Sequence, residues 1–177
     1  PKKEELIRHI NSYSQYVGHT YIVDNTPIDK VDYLDIVDTI DGSKTYISNG
    51  KNLGIAASLN KAVSMAKDQG FKWILTMDQD SFFEEKQIKH YLAYFEAHFN
   101  SSKEVAIVCP EIEANVSRPE PNDDYHAIIR AITSGSLVNV DICVNLKGFD
   151  EKLFIDEVDF EYCYRCVING YKIFQFK

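Results

Sequence analysis

Positive charge is scarce in this sequence: 19 lysines and arginines stand against 27 aspartates and glutamates, giving a formal charge of −8 and a pI near 5.1. The basic residues are scattered singly or in pairs, so no patch offsets the repulsion of an acidic chain for phosphate backbones and anionic lipid head groups. Nucleic acid is therefore not an expected partner, and an enzyme of this charge that handles a diphosphate would need a cation. Long apolar runs are missing too. No stretch is long enough to span a bilayer, and no charged-then-apolar leader opens the chain, so it is expected to be soluble. Cysteine is sparse: Cys109, Cys143, Cys163 and Cys166 sit among apolar residues without the dense spacing of a secreted disulfide scaffold, which fits a reducing compartment. Cys163 and Cys166 form a C-x-x-C, but inside a helical pattern and without a second matching pair, so ordinary core packing is favoured over metal or redox use. No Ser-His-Asp or Cys-His order is evident, and His90, His98 and His126 read as solvated.

What is present is apolar and aromatic. With 177 residues, 45% of them hydrophobic, 10 Phe and 11 Tyr, the chain can bury one substantial core, and a single domain over 1–177 is expected. Leu6, Ile7, Ile10, Tyr13 and Val17 recur at helical spacing, with Gly18 as a cap. Short strands are expected at Tyr21–Val23 and Lys44–Ser48, separated by a polar, irregular stretch. Ile55, Leu59, Ala62, Val63 and Ala66 share a helical face closed by Gly70, and 71–77 reads as a buried strand. Ser81 and Glu84 fit a capping box ahead of a helix carrying Ile88, Tyr91, Leu92 and Phe95. A strand at Val105–Cys109 ends at Pro110, and a polar loop runs to about Asp124. Ala131–Val140 is expected to hold a strand around Ser134-Gly135-Ser136. A short helix capped by Gly148, a helix from about Glu157 to Ile168 with Gly170 at its end, and a final strand complete the series. This alternation predicts an α/β fold with a mostly parallel central sheet flanked by helices. In such sheets ligands sit outside the carboxyl ends of the strands, which would bring Asp24-Asn25 and Asp78-Gln79-Asp80 to one rim.

Asp78 and Asp80 lie two apart at a strand end, where extended side chains point the same way. Two carboxylates facing one point suit a hard divalent cation, Mg²⁺ or Mn²⁺, whose other positions are filled by phosphate oxygens and water. The plainer alternative is that Asp80 begins the next helix and Asp78 is a solvated loop acid.

The ordered set of motifs resembles glycosyltransferase family 2, especially its rhamnosyltransferase-like members. It comprises Val23-Asp24-Asn25, then 52–60 (NLGIAASLN), then Asp78-Gln79-Asp80-Ser81, Ser134-Gly135-Ser136 and Gly148-Phe149-Asp150. Leu153 to Asp156, Val158 to Arg165 and Asn169-Gly170-Tyr171 follow. The resemblance runs from about Tyr21 to the end. It implies a Rossmann-like nucleotide-diphospho-sugar transferase (GT-A) architecture. It also implies a nucleotide-sugar pocket that draws on Asp24, Asn25, Asn52, Asp78 and Gly135: Asp24 bonding the base, Asn52 lining the same pocket, Asp78 beside the ribose or the metal's water shell. Asp80, with Asp78, would hold the metal. An Asx-turn is the alternative for Asp24 and a helix cap for Asn52. Asp159 is the candidate general base, with Asp156 one helical turn earlier as its rival. Glu161 and Arg165 at i,i+4 read as a surface ion pair worth little, with a helix-orienting role as the minority alternative.

The implied reaction is direct displacement at the anomeric carbon with inversion: a carboxylate takes the acceptor's proton while the metal stabilises the departing diphosphate. Expected partners are a nucleotide-diphosphate sugar donor and a saccharide or lipid-linked acceptor. The implied setting is surface-polysaccharide assembly in the cytoplasm or at the inner face of the membrane, with peripheral association through segments outside the sequence. Family members usually start with a strand before the first helix and continue past the last strand here, so the chain is expected to be a fragment lacking that strand and the acceptor-side region. Two rival readings are a sugar-nucleotide nucleotidyltransferase, whose Gly-rich basic loop is not visible, and a non-catalytic binding or assembly module of the same fold.

Overall fold

The computed structural model describes residues 2–28, 34–111 and 125–176; most of the expected polar loop up to Asp124 lies outside them. The element order is α1 (Lys3–Ser14), β1 (Thr20–Asp24), α2 (Leu34–Val37), β2 (Lys44–Ser48), α3 (Ile55–Asp68), β3 (Trp73–Thr76), α4 (Glu85–His98), β4 (Val105–Pro110), β5 (Tyr125–Ile128), β6 (Ser136–Asn139), α5 (Val140–Asn145), α6 (Val158–Ile168) and β7 (Lys172–Phe176). None of the described helices is long and apolar enough to cross a membrane.

The α/β alternation is as expected, but the sheet is mixed rather than mostly parallel. β1 and β2 pair in parallel, Ile22 opposite Tyr46. The five-stranded sheet runs β3-β6-β4-β7-β5. In it only β4 and β7 are parallel, while β6 runs antiparallel to both β3 and β4, and β5 antiparallel to β7. The physical reason the sequence misleads is that β6, Ser-Leu-Val-Asn, is buried at every position and so lacks the in-out alternation that marks a half-exposed antiparallel strand. Direction is not encoded in that pattern.

Both faces of the five-stranded sheet are covered, and strand alternation sorts side chains between them. Ile74, Ile107, Cys109, Val138 and Ile173 pack with Ala56, Val63 and Ala66 of α3, Ile142 and Cys143 of α5, and Val158, Tyr162, Cys163 and Cys166 of α6. Trp73, Leu75, Val105, Val108, Leu137, Phe174 and Phe176 pack instead with Ile88, Tyr91 and Phe95 of α4. Adjacent Ala106 and Ile107 fall in the same cluster because the β4/β7 register shifts between Val105 and Ile107, as a bulge requires.

Local signals moved by a few residues. The reciprocal cap before α4 is made by Glu84 and Gln87, whose Oε1 accepts from the Glu84 backbone N–H at 3.1 Å, three residues beyond the Ser81–Glu84 spacing. α1 ends at Ser14 with Gln15 as its C-cap, short of Gly18. Gly70 and Gly170 do close their helices: Phe71 N–H reaches Ala66 O and Tyr171 N–H reaches Cys166 O, the six-to-one bond of a Schellman end. The four thiols are free and buried, and burial pushes Cys109 and Cys166 up to about 12 and Cys143 and Cys163 up to about 11.

Candidate active site

Topology assembles the acidic rim. Because β6 runs antiparallel to β3, its first residue, Ser136, lies opposite Thr76, the last residue of β3. The turn before β6 therefore meets the loop after β3. Gly135 N–H donates to Thr76 O at 2.8 Å, and Asp78 N–H donates to Ser134 Oγ at 3.2 Å. Gly135 is buried at φ +81, and a Cβ there would press on the Pro110 ring; glycine is required both by the left-handed backbone and by that close approach. Of the expected strand around Ser134-Gly135-Ser136, Ser134 and Gly135 form the turn and Ser136 opens β6.

Two further carboxylates act on Asp78 beside this turn. Asp78 has its pKa raised, first by partial desolvation and then by the negative charges of Asp80 and Asp159. Like charges that raise a neighbour's pKa must share its electrostatic environment. Asp159 lies in the first turn of α6 and lines a small cleft with Thr76, Thr133 and Tyr162; its Oδ1 accepts from Phe160 N–H at 2.9 Å. The residue that turns the chain into α6, Glu157, has φ 63, a left-handed conformation costing a non-glycine residue roughly 1–2 kcal/mol. That strain sits two residues before Asp159. Asp156 is exposed, and its charge is not among those that raise Asp78.

Asp24, Asn25 and Asn52 form a second group. Asp24 Oδ1 accepts from Thr26 N–H at 2.7 Å and Oδ2 from Tyr46 Oη at 2.6 Å. The first bond is the Asx-turn alternative; the second comes across the β1/β2 pair and leaves lone pairs on both oxygens. Asn25 donates to Gly54 O at 3.1 Å and accepts from Asn49 Nδ2 at 2.9 Å, so its amide holds the 49–54 loop. Asn52 does not cap α3: its Oδ1 accepts from Gly54 N–H at 3.0 Å, the N-cap is Gly54, and Asn52 itself is exposed.

Gly54 joins this group to the segment before α6. Its backbone lies at φ 85, ψ 171, a Cβ there would collide with the Phe154 carbonyl, and Ile55 N–H donates to Phe154 O at 2.9 Å. Asn60 ties α3 to the same region, accepting from Phe149 N–H at 2.7 Å and donating to Phe149 O at 2.9 Å. Arg165 is more than a surface ion pair. Its guanidinium reaches Glu161 at 2.5 and 2.6 Å, Leu146 O at 2.5 Å and Gly148 O at 2.7 Å, locking α6 to the turn after α5.

Tyr46, Asn60 and Gly54 carry roles that sequence reasoning did not assign, since each depends on a partner far along the chain. Asn60 and Gly54 do lie within the 52–60 motif, which was the available signal.

The donor set fits a divalent cation in part. Asp78 and Asp80 offer hard oxygen ligands in a place where negative charge already accumulates. Among the described residues no group of three or more His, Cys, Asp or Glu gathers as a metal cage. A pair of carboxylates matches ions such as Mg²⁺, which complete their shell with phosphate and water.

The sequence model described as glycosyl transferase family 2 matches residues 4–137. A curated relative, the dTDP-rhamnosyl transferase RfbF of Shigella flexneri, is 28% identical over 139 residues, covering 68% of this chain and 45% of its own length. Among solved structures, residues 1–349 of S. aureus TarS superpose with a TM-score of 0.63 at 13% identity, over 98% of this chain and 54% of that one. The mannosyltransferase PcManGT from Pyrobaculum calidifontis, solved with GDP-Man and Mn²⁺, gives 0.61 at 17% identity, over 95% and 50%. At such identities the likeness shows the fold alone, the GT-A architecture. The chain spans about half the length of the relatives it matches.

Proposed function

The chain belongs to glycosyl transferase family 2, and on that premise we propose that it carries the donor side of a metal-dependent, inverting sugar transfer from a nucleoside-diphosphate sugar to an acceptor hydroxyl. The observation that carries the proposal is the placement of Asp78 against the Ser134-Gly135 turn at the end of β3, with Asp159 on the cleft that Thr76 and Thr133 also line; the charges of Asp80 and Asp159 raising the Asp78 pKa agree with it. Asp78 and Asp80 hold the cation; Asp24, Asn25, Asn52 and Gly135 shape the nucleotide pocket. When bound, Mn²⁺ or Mg²⁺ supplies the positive charge that stabilises the departing diphosphate.

Asp159 is the favoured base. A base must reach the acceptor's proton at the reacting carbon, on the side opposite the leaving diphosphate, and Asp159 borders the cleft at the end of β3 while Asp156 stands exposed. Its charge acts on Asp78, which supports a place on the same side of the site as the metal pair. The dTDP-rhamnosyl transferase relative makes dTDP-rhamnose the first donor to try, with surface-polysaccharide assembly as the setting.

Release of nucleoside diphosphate from dTDP-, UDP- and GDP-sugars in the presence of Mn²⁺ tests this reading. Asp159→Asn is expected to lower turnover by about 10²–10⁴-fold with donor affinity retained, and Asp156→Asn to leave turnover within a few-fold. The reverse order would move the base to Asp156. Turnover indifferent to both would remove carboxylate base catalysis from the account.

A further inference from the structure

We propose that α1 is a clamp for the acidic loop, with His9 as the positioning residue that orients the peptide between Asp78 and Asp80. This rests on the donor-site reading above and deepens it.

His9 is 5% exposed, unusual for a residue of its type on a surface helix. Its Nδ1 lies 3.2 Å from Gln79 O. A carbonyl oxygen can only accept, so Nδ1 carries the proton and donates. Gln79 is the residue between the two aspartates, and its carbonyl belongs to the peptide that leads into Asp80. Fixing that oxygen restrains the plane of the 79–80 peptide, and with it the direction in which the Asp80 side chain leaves the backbone.

Two further contacts come from the same helix face. The His9 ring stacks on Phe82, centroids 5.4 Å apart and planes 18° from parallel. Ser12, one turn on, accepts from Phe83 N–H at 3.0 Å through Oγ and donates its hydroxyl hydrogen bond to His9 O at 2.6 Å. α1 thus grips the loop at Gln79, Phe82 and Phe83, while Ser134 holds Asp78 N–H from the other side. Phe82 is 54% exposed, so burial of its own ring does not account for the order of the loop. Phe83 anchors the far end of the loop on Tyr91, while the contacts made directly to Gln79 and to Phe83 N–H come from α1.

His9→Asn and His9→Leu separate positioning from packing. Asn carries an N–H donor where His carries Nδ1, whereas Leu fills the space without one. Hydrogen exchange of residues 77–83 reads loop order with no ligand present, and titration of Mn²⁺ with dTDP, UDP or GDP reads the site. The expected result is faster exchange across the loop in His9→Leu, restored by His9→Asn. Metal-dependent nucleotide affinity should weaken about tenfold in His9→Leu alone, the lower end of what losing an outer partner costs a metal site, and metal-free affinity should hold. Loop exchange unchanged in His9→Leu would overturn the clamp. Faster exchange with unchanged metal-dependent affinity would overturn its positioning role, as would equal losses in the Asn and Leu variants. A wild-type chain that binds none of the nucleotides would sink the donor-site reading instead, and the exchange experiment would then decide the clamp by itself.

Discussion

Replacing Gly54 by alanine tests the junction between the nucleotide-side loop and the segment that leads to Asp159. The backbone at φ 85, ψ 171 lies in a region essentially reserved for glycine, where another residue costs about 1–3 kcal/mol. The new methyl would overlap the Phe154 carbonyl. The overlap forces the two segments apart and breaks the bond from Ile55 N–H to Phe154 O, worth about 1 kcal/mol more. The sum is about 2–4 kcal/mol. For a chain of this size that lowers Tm by roughly 10 °C, at about 2–4 °C per kcal/mol. Gly50→Ala is the control: it also has positive φ, 66°, but nothing lies within 4 Å of its Cβ position, so only the conformational cost of about 1–2 kcal/mol applies. Urea unfolding of both variants, followed by far-UV circular dichroism, reads the difference. Equal losses at the two glycines, or a loss at Gly54 below about 0.5 kcal/mol, would refute the close approach to Phe154.

Further outcomes follow from the same contacts. Arg165→Lys cannot keep a planar fork on Glu161 and two carbonyls at once, and is expected to lose about 2 kcal/mol in denaturant titration; a loss below about 0.5 kcal/mol would return Arg165 to the class of surface ion pairs. The four buried thiols should resist a disulfide reagent at pH 8 in the native chain and all react in guanidinium; rapid labelling of any one before unfolding would contradict their burial. Their pKa values also fix a pH dependence. The folded thiols hold their protons up to about 11–12, above the ordinary 9.0, so above pH 9 the unfolded chain binds fewer protons than the folded one. The stability they contribute is complete below pH 9 and is lost as pH rises through 11–12; a folding free energy flat from pH 9 to 11 would refute it.

The elements most legible in the sequence were those whose periodicity is self-contained. β2 was read at its observed bounds, and α3 and α6 declare themselves through apolar spacing and a terminal glycine. β5 was missed because Tyr125–Ile128 is short, half-buried and set at the sheet edge after a polar loop. The antiparallel course of β6 was missed because a fully buried strand looks the same in either direction, yet that course is what carries Ser134 and Gly135 to Asp78. At the site, the Asp78–Asp80 spacing is a weak signal by itself and drew weight only from its place in the ordered set of motifs. His9 was not legible, since nothing in α1 distinguishes a histidine that caps a distant carbonyl from one that fills a gap. Tyr46 and Arg165 share that limit: their partners are set by strand register and by a turn that only the folded chain brings within reach.

The most direct test of the central claim is calorimetric titration of dTDP, UDP and GDP, with and without Mn²⁺, into the native chain and into Asp80→Asn. The account predicts binding of at least one nucleotide that requires Mn²⁺ and is lost in the variant. Binding that survives in Asp80→Asn, or that ignores the metal, would contradict the assignment of Asp78 and Asp80 as the cation site.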